Sequence, residues 1–303
     1  MALAGLFVGF VVGLTGMGGG ALMTPVLVLL FGVAPLTAVS SDIVASMVMK
    51  PVGGAVHWRR GTVHKRLVLW LMIGSVPAAF LGVLLLRSVG HGESLQHTVK
   101  LALGIALLVV VTGLVAKPLM SRGRRPGDSA APLVVKPLPT LIIGVLGGLV
   151  VGVTSVGSGS LMIIMLLMLY PRIRLSELVG TDLVQAIPLV ASAALGHFLF
   201  GQFELGLTAS ILLGSLPGVY IGARFSSRAA DHVIRPALIV VLMASALKLL
   251  GVGTMIVGAI SAALALGGVY YAVSTANRIA REQLKSAAEP GGGGSASLSA
   301  PVR

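Results

Sequence analysis

The sequence predicts an all-α membrane protein of two inverted repeats, each a broken re-entrant helix hairpin followed by three transmembrane helices, with one extra C-terminal helix. Three observations lead there. Hydrophobic residues make up 56% of the chain and charged residues only 10%, whereas a soluble domain is about a quarter charged. A glycine-rich stretch, Gly13-Leu14-Thr15-Gly16-Met17-Gly18-Gly19-Gly20, interrupts one apolar segment and returns as Gly152-Val153-Thr154-Ser155-Val156-Gly157-Ser158-Gly159. The loop charges are strongly one-sided only if each interrupted segment returns to the side it entered.

The first segment contains Ala2–Leu14 and Ala21–Phe31. As helices these reach about 20 and about 16 Å, against a hydrocarbon core of about 30 Å. Met1 opens directly into apolar sequence with no basic n-region and no small-residue cleavage site, so a retained first segment is expected rather than a cleaved signal peptide. A small polar turn, Gly32–Ser41, precedes apolar runs at 42–57, 67–86 and 98–116. The second interrupted segment, 138–170, is followed by runs at 179–200, 207–223, 234–250 and 253–274. This divides the chain into a first membrane repeat (1–116), a basic cytoplasmic linker (117–137), a second repeat with its extra span (138–275) and a flexible, glycine-rich tail (276–303).

The two halves match residue by residue. At an offset of 139, Gly13, Thr15, Gly18, Gly20, Leu22 and Met23 recur as Gly152, Thr154, Gly157, Gly159, Leu161 and Met162. At an offset of 140, Asp42, Val44, His57, Gly61, Gly74, Ser75, Pro77 and Gly82 recur as Asp182, Val184, His197, Gly201, Gly214, Ser215, Pro217 and Gly222. Shared apolar composition does not produce so many matches at Gly, Pro, Asp and His. Duplication does.

With re-entrant hairpins, seventeen loop charges fall on one side: Arg59, Arg60, Lys65, Arg66, Lys117, Arg122, Arg124, Arg125, Lys136, Arg172, Arg174, Arg224, Arg228, Arg235, Arg278, Arg281 and Lys285. Three, Arg87, Lys100 and Lys248, fall on the other. If each interrupted segment crossed fully, the division would be ten against ten. The excess of Lys and Arg in cytoplasmic loops therefore selects hairpins, and an odd number of full crossings per repeat inverts one half relative to the other. The same loop pattern accounts for the net charge of +13. A nucleic-acid groove would need interleaved aromatics and a soluble fold.

The interruptions are where chemistry is expected. Irregular backbone at membrane depth persists only where protein or a watery cavity satisfies its polar groups. Half-helices beginning near Gly20 and Gly159 would aim unpaired N–H donors toward the midplane, where they attract anions. Gly18, Gly19, Gly20, Gly157 and Gly159 allow close approach, and Thr15, Thr154, Ser155, Ser158 and Ser160 add hydroxyls. The competing reading is close helix packing through glycine. Lys50 is a cation inside a span, where a charge costs at least about 3 kcal/mol, and is an anion counter-charge or a snorkelling lysine. Asp42 and Asp182 begin equivalent runs, as N-terminal caps or as proton or cation sites for coupled transport. His197 and Gln185 complete the coupling candidates; His57, beside Trp58 and Arg59, reads as an interface anchor. Pro77 and Pro217 read as kinks.

Gly13-Leu14-Thr15-Gly16-Met17-Gly18-Gly19-Gly20-Ala21-Leu22-Met23-Thr24-Pro25 resembles the opening signature of the TauE/SafE sulfite-exporter family. Ala38-Val39-Ser40-Ser41, His57-Trp58-Arg59-Arg60-Gly61 and Gly74-Ser75-Val76-Pro77 with Gly82 are similar to the same pattern, as are their second-half equivalents. The resemblance runs from about residue 4 to 250. It implies a permease for small sulfur oxyanions or organosulfonates, such as sulfite or sulfoacetate. The chain departs from it in the extra span and tail, and in Ser158 at the middle glycine of the second signature.

The function expected is a multi-pass secondary transporter of the cell membrane for a small anion, coupled to H+ or Na+ or driven by the substrate's own gradient. No cofactor, metal or nucleic-acid partner is expected; the chain lacks a Gly-x-x-x-x-Gly-Lys-Ser/Thr motif, and absent cysteine excludes disulfides and thiolate sites. Two alternatives are a channel or structural membrane protein, and an intramembrane serine protease using Ser158 or Ser160 with His197. The first repeat keeps the glycines but has no serine there, which argues against a nucleophile.

Overall fold

The computed structural model describes residues 1–269 except 16–18, 60, 91, 122–133, 172, 174, 201–202 and 226–230. Gly18, much of the basic linker, the end of the extra span, the tail and several of the counted loop cations thus lie outside the described residues. The described chain is helical throughout, without strands: α1 (Ala2–Thr15), α2 (Gly20–Leu30), α3 (Pro35–Arg59), α4 (Lys65–Ser88), α5 (Glu93–Ser121), α6 (Pro137–Thr154), α7 (Leu161–Leu169), α8 (Leu175–Phe200), α9 (Leu205–Phe225), α10 (Asp231–Leu249) and α11 (Thr254–Val269). Among the described residues, α4, α5, α6, α8 and α9 are long and apolar enough to cross a membrane.

Two boundaries differ from the sequence reading. The helices carrying the aspartates start earlier: α3 at Pro35 and α8 at Leu175, each seven residues ahead of its Asp. Pro35 suits a first helical position, and Leu36, Ala38 and Val39 are buried in the core, so the polar turn shrinks to Gly32–Ala34. Asp42 and Asp182 are therefore interior residues, and the capping reading is wrong. Second, α6 has 18 residues, about 27 Å. Its first turn is secured by Pro137 and by Thr140 Oγ1 donating to the Lys136 carbonyl at 2.7 Å.

The second interruption is a hairpin. Gly147 of α6 faces Met162 of α7, and the Tyr170 hydroxyl, just past α7, accepts from the Lys136 N–H at 2.8 Å and contacts Thr140 Oγ1 at 2.6 Å. The chain thus returns beside the start of α6. Ser155 closes α6 in the left-handed conformation (φ 59°), and Gly157 and Gly159 follow at φ 122° and 109°, where side chains other than glycine are strained.

The halves interlock. Helix α6 packs on α4 through Gly144, Gly148 and Gly152, set against the backbone of Leu71, Ser75 and Ala79. Helix α1 packs on α9 in the equivalent way: Gly5 and Gly9 meet Ile211 and Ser215, while Gly214, Gly218 and Gly222 meet the carbonyls of Ala2, Leu6 and Phe10. Between these pairs lie α3 and α8, running antiparallel. Ser40 near the start of α3 meets His197 near the end of α8, and Gly54 near the end of α3 meets Ile187. Helix α11 is largely exposed, with Gly268 against Pro236.

These glycines are where a Cβ has no room. One at Gly214 would lie 1.8 Å from the Ala2 carbonyl oxygen and one at Gly148 2.4 Å from that of Ser75, whereas Gly206 has nothing within 4 Å. Gly148→Val and Gly214→Val should each lower the apparent melting temperature of the detergent-solubilised protein by about 5 °C or more. Gly206→Ala should change it by no more than about 1 °C; equal effects from all three would contradict the packing.

Candidate functional site

The second interruption threads between three buried charged side chains. Ser155 Oγ donates to Asp42 Oδ2 at 2.6 Å, joined there by Thr24 Oγ1 at 3.1 Å. Lys50 Nζ donates to Ser158 Oγ. The Gly159 backbone N–H donates to the Asp182 carboxylate. Asp42, Lys50 and Asp182 thus meet the interrupted segment in turn at residues 155, 158 and 159. Lys50 is 8% exposed and each aspartate 1%. Both carboxylates lie near enough to act on the Lys50 ammonium.

The first interruption closes the site. A Cβ at Gly20 would fall 1.9 Å from the Ser155 carbonyl oxygen, so the start of α2 lies directly on the second interruption. A Cβ at Gly19 would lie 3.6 Å from Asp42 Oδ1. Of Gly18, Gly19 and Gly20, the last two are among the described residues, and both lie at the contact between the two interruptions.

The other residues singled out by sequence have definite places. Thr15 Oγ1 donates to the Val11 carbonyl at 2.8 Å and Thr154 Oγ1 to that of Val150 at 2.6 Å. These hydroxyls bond back to the last turn of their own helices. Ser160 is buried, and its hydroxyl has no hydrogen-bond partner among the described residues. Gln185 Nε2 donates to Asp182 Oδ1 at 3.0 Å and lies 2.8 Å from Met162 Sδ, while its Oε1 accepts from Ser75 Oγ at 3.2 Å. The amino end of α7 therefore already carries a protein carboxylate at Gly159, with Ser160 left as an unengaged donor.

His197 stands apart from this cluster. Its Nε2 lies 2.8 Å from the Gly152 carbonyl and its Nδ1 2.9 Å from Ser40 Oγ. A carbonyl only accepts, so Nε2 carries a hydrogen and, in the neutral ring, Nδ1 accepts from Ser40. His197 thereby ties α3 to the last turn of α6. Neither Ser158, bonded to Lys50, nor Ser160 is paired with it, so the serine-protease arrangement is not formed. The His57 side chain lies outside the described residues.

Sequence reasoning missed Thr24, Ser40 and Ser75 as polar partners of the site. Ser75 had a signal, since it recurs as Ser215. Ser215 is buried without a partner among the described residues, because the Gln185 that receives Ser75 is Ala45 in the first half. Lys50 is likewise unpaired by the repeat, with Val190 as its counterpart.

A family model described as Sulfite exporter TauE/SafE matches residues 1–249. Over 251 residues, 82% of this chain and 98% of the relative, the sequence is 40% identical to the probable membrane transporter protein YjnA of Bacillus subtilis (strain 168). It is 26% identical over 242 residues, 78% of this chain and 92% of the relative, to the probable membrane transporter protein YdhB of the same organism. No solved structure matches the chain.

Asp42 accepts from two buried hydroxyls, so the bonds it makes should be separable. Asp42→Ala strands both donors and should destabilise the protein by about 2–4 kcal/mol, while Thr24→Val removes a single bond and should cost about 1–2 kcal/mol. Thermal unfolding in detergent measures the difference; equal losses would contradict the geometry.

Proposed function

The chain belongs to the TauE/SafE family of membrane transporters, which are not enzymes, and from that premise we propose that it is a secondary carrier for a small anion, a sulfur oxyanion or organosulfonate such as sulfite or sulfoacetate. The observation that carries the reading is Lys50, a buried cation held by the serine of the second interruption. A cation so placed is kept where its charge is used or balanced. The anion would take Lys50 as its counter-charge. Donors would come from Ser158, from the unengaged Ser160 hydroxyl and from the backbone around Gly157 and Gly19.

Electrostatics also supports coupling. One lysine and two ionised carboxylates leave the site at −1, and an added anion drives it further negative in a region that tolerates little unbalanced charge. A proton or Na+ bound with the anion restores the balance, and Asp42 and Asp182 are the groups positioned to take it. The pair is repeat-related, and both carboxylates meet the second interruption, Asp42 at Ser155 and Asp182 at Gly159.

The antiparallel course of α3 and α8, and the return of α7 beside the start of α6, support reading the halves as inverted across the membrane with re-entrant hairpins. In this reading the basic loops face the cytoplasm of a multi-pass protein of the cell membrane, and access alternates as one repeat rocks against the other.

Purified full-length protein in proteoliposomes should accumulate at least one of sulfite, thiosulfate, sulfoacetate or a simple carboxylate saturably. Lys50→Met should lower that flux at least about tenfold, a loss of about 1.4 kcal/mol. Failure of all these anions, or unchanged flux in Lys50→Met, would refute the assignment. Asp182→Asn should retain exchange of anion across the vesicle while losing accumulation driven by a proton or Na+ gradient. Gradient-driven accumulation at the wild-type level in both Asp182→Asn and Asp42→Asn would exclude the carboxylates as the coupling sites.

A further inference from the structure

A cavity of about 70 Å³ lies apart from the Lys50 cluster, between the start of α3, the α4–α5 turn and the end of α8. Leu36, Val83, Leu86, Leu95 and Phe200 supply apolar walls, and Arg87 and His197 supply the polar groups. None of the lining residues is acidic. The Arg87 guanidinium sits 4.9 Å from the centre of the Phe200 ring, which holds the cation over the opening. Arg87 is exposed, whereas His197 is fully buried, so the two mark the mouth and the floor. The floor touches the helices that carry the central cluster. His197 bonds Ser40, two residues before Asp42, and Gly152, three residues before Ser155. The opposite wall is fixed by the Leu36 N–H donating to Gln96 Oε1 at 3.0 Å.

We propose that this pocket is an anion vestibule, with Arg87 the first charge a small anion meets and His197 the floor that separates it from the Lys50 site. The chemical class is a small water-soluble oxyanion or sulfonate. A dead-end cavity has no need of an exposed guanidinium over an acid-free, partly apolar funnel, whereas an entry path gains on-rate from it: one sign of charge between low-dielectric walls concentrates the oppositely charged solute. As a rim charge, Arg87 should act on capture and its salt dependence rather than on turnover. The proposal rests on the anion-carrier reading for what passes through the vestibule. The presence of a wet, positive pocket can be tested without transport.

The chain contains no cysteine, so single cysteines report from an otherwise unreactive background. Leu95→Cys and, as a second position, Leu86→Cys would be made in the full-length protein in proteoliposomes. They would be reacted with an anionic and with a cationic methanethiosulfonate reagent of similar size. Both reagents should label, and adding Arg87→Gln should lower the anionic-to-cationic rate ratio by about three- to tenfold at low salt, with a smaller effect at high salt. No labelling at either position, as when lipid or packed side chains fill the space, overturns the proposal. So does a ratio that Arg87→Gln leaves unchanged. With an anion that the wild type transports, Arg87→Gln should raise KM several-fold at low salt with Vmax unaltered; a fall in Vmax with KM unchanged counts against the vestibule. If the wild type transports none of the anions, the labelling ratio still decides the vestibule, and only the carrier assignment falls.

Discussion

A helix interrupted away from water leaves backbone groups that the protein itself must satisfy, and the rest of this structure answers that constraint. The second interruption shows how. Ser155 closes α6 in a left-handed turn, the Gly157 carbonyl accepts from the Met162 N–H at 3.2 Å, and the Gly159 N–H goes to Asp182. Asp182 comes from α8, a helix that has to be brought close. The glycine seams between α4 and α6 and between α1 and α9 do this, allowing backbones to touch and leaving α3 and α8 crossing in the middle. In an apolar solvent such contacts are favourable chiefly through dispersion and through the avoidance of unpaired polar groups, because lipid is as apolar as leucine.

On this duplicated backbone lies an unduplicated set of side chains. The aspartates and the glycines occur in both halves. Lys50 faces Val190 across the repeat, Gln185 faces Ala45, and Ser158 stands where the first half has Gly19. The Lys50–Ser158 bond therefore has no counterpart. In the proposed cycle two repeat-related elements would exchange roles, while a single cation would give the substrate one place to bind. Backbone symmetry would serve the movement, and side-chain asymmetry the recognition.

Much of this was legible in the linear sequence, for reasons that can be named. Glycine, proline and charge are rare enough inside apolar segments that their recurrence at a fixed offset carries information, so the two interruptions and the aspartate pair stood out. Lys50 was conspicuous because a cation inside a span is costly. Helix starts were less legible. Gly32–Ser41 reads as a turn from its glycine, proline and hydroxyls, yet Leu36, Ala38 and Val39 are buried, and burial turned Pro35–Ser41 into two turns of helix. That shift moved Asp42 from a cap to the interior. Thr24 and Ser40 gave no signal, because a hydroxyl in an apolar helix acquires meaning only from what faces it.

By itself the sequence determined the helical membrane class, the duplication, the positions of the broken helices and the family. These depend on composition and on spacing along the chain, which are one-dimensional properties. Only the tertiary structure decided that Asp182 meets the amino end of α7, that Lys50 reaches Ser158, that Gly20 lies on Ser155, and that His197 lies under the Arg87 pocket instead of beside Ser158 or Ser160. The residues in each of these pairs are from 23 to 135 positions apart in the chain. Which of them meet is fixed by how closely glycine lets the helices approach, a quantity no local pattern records.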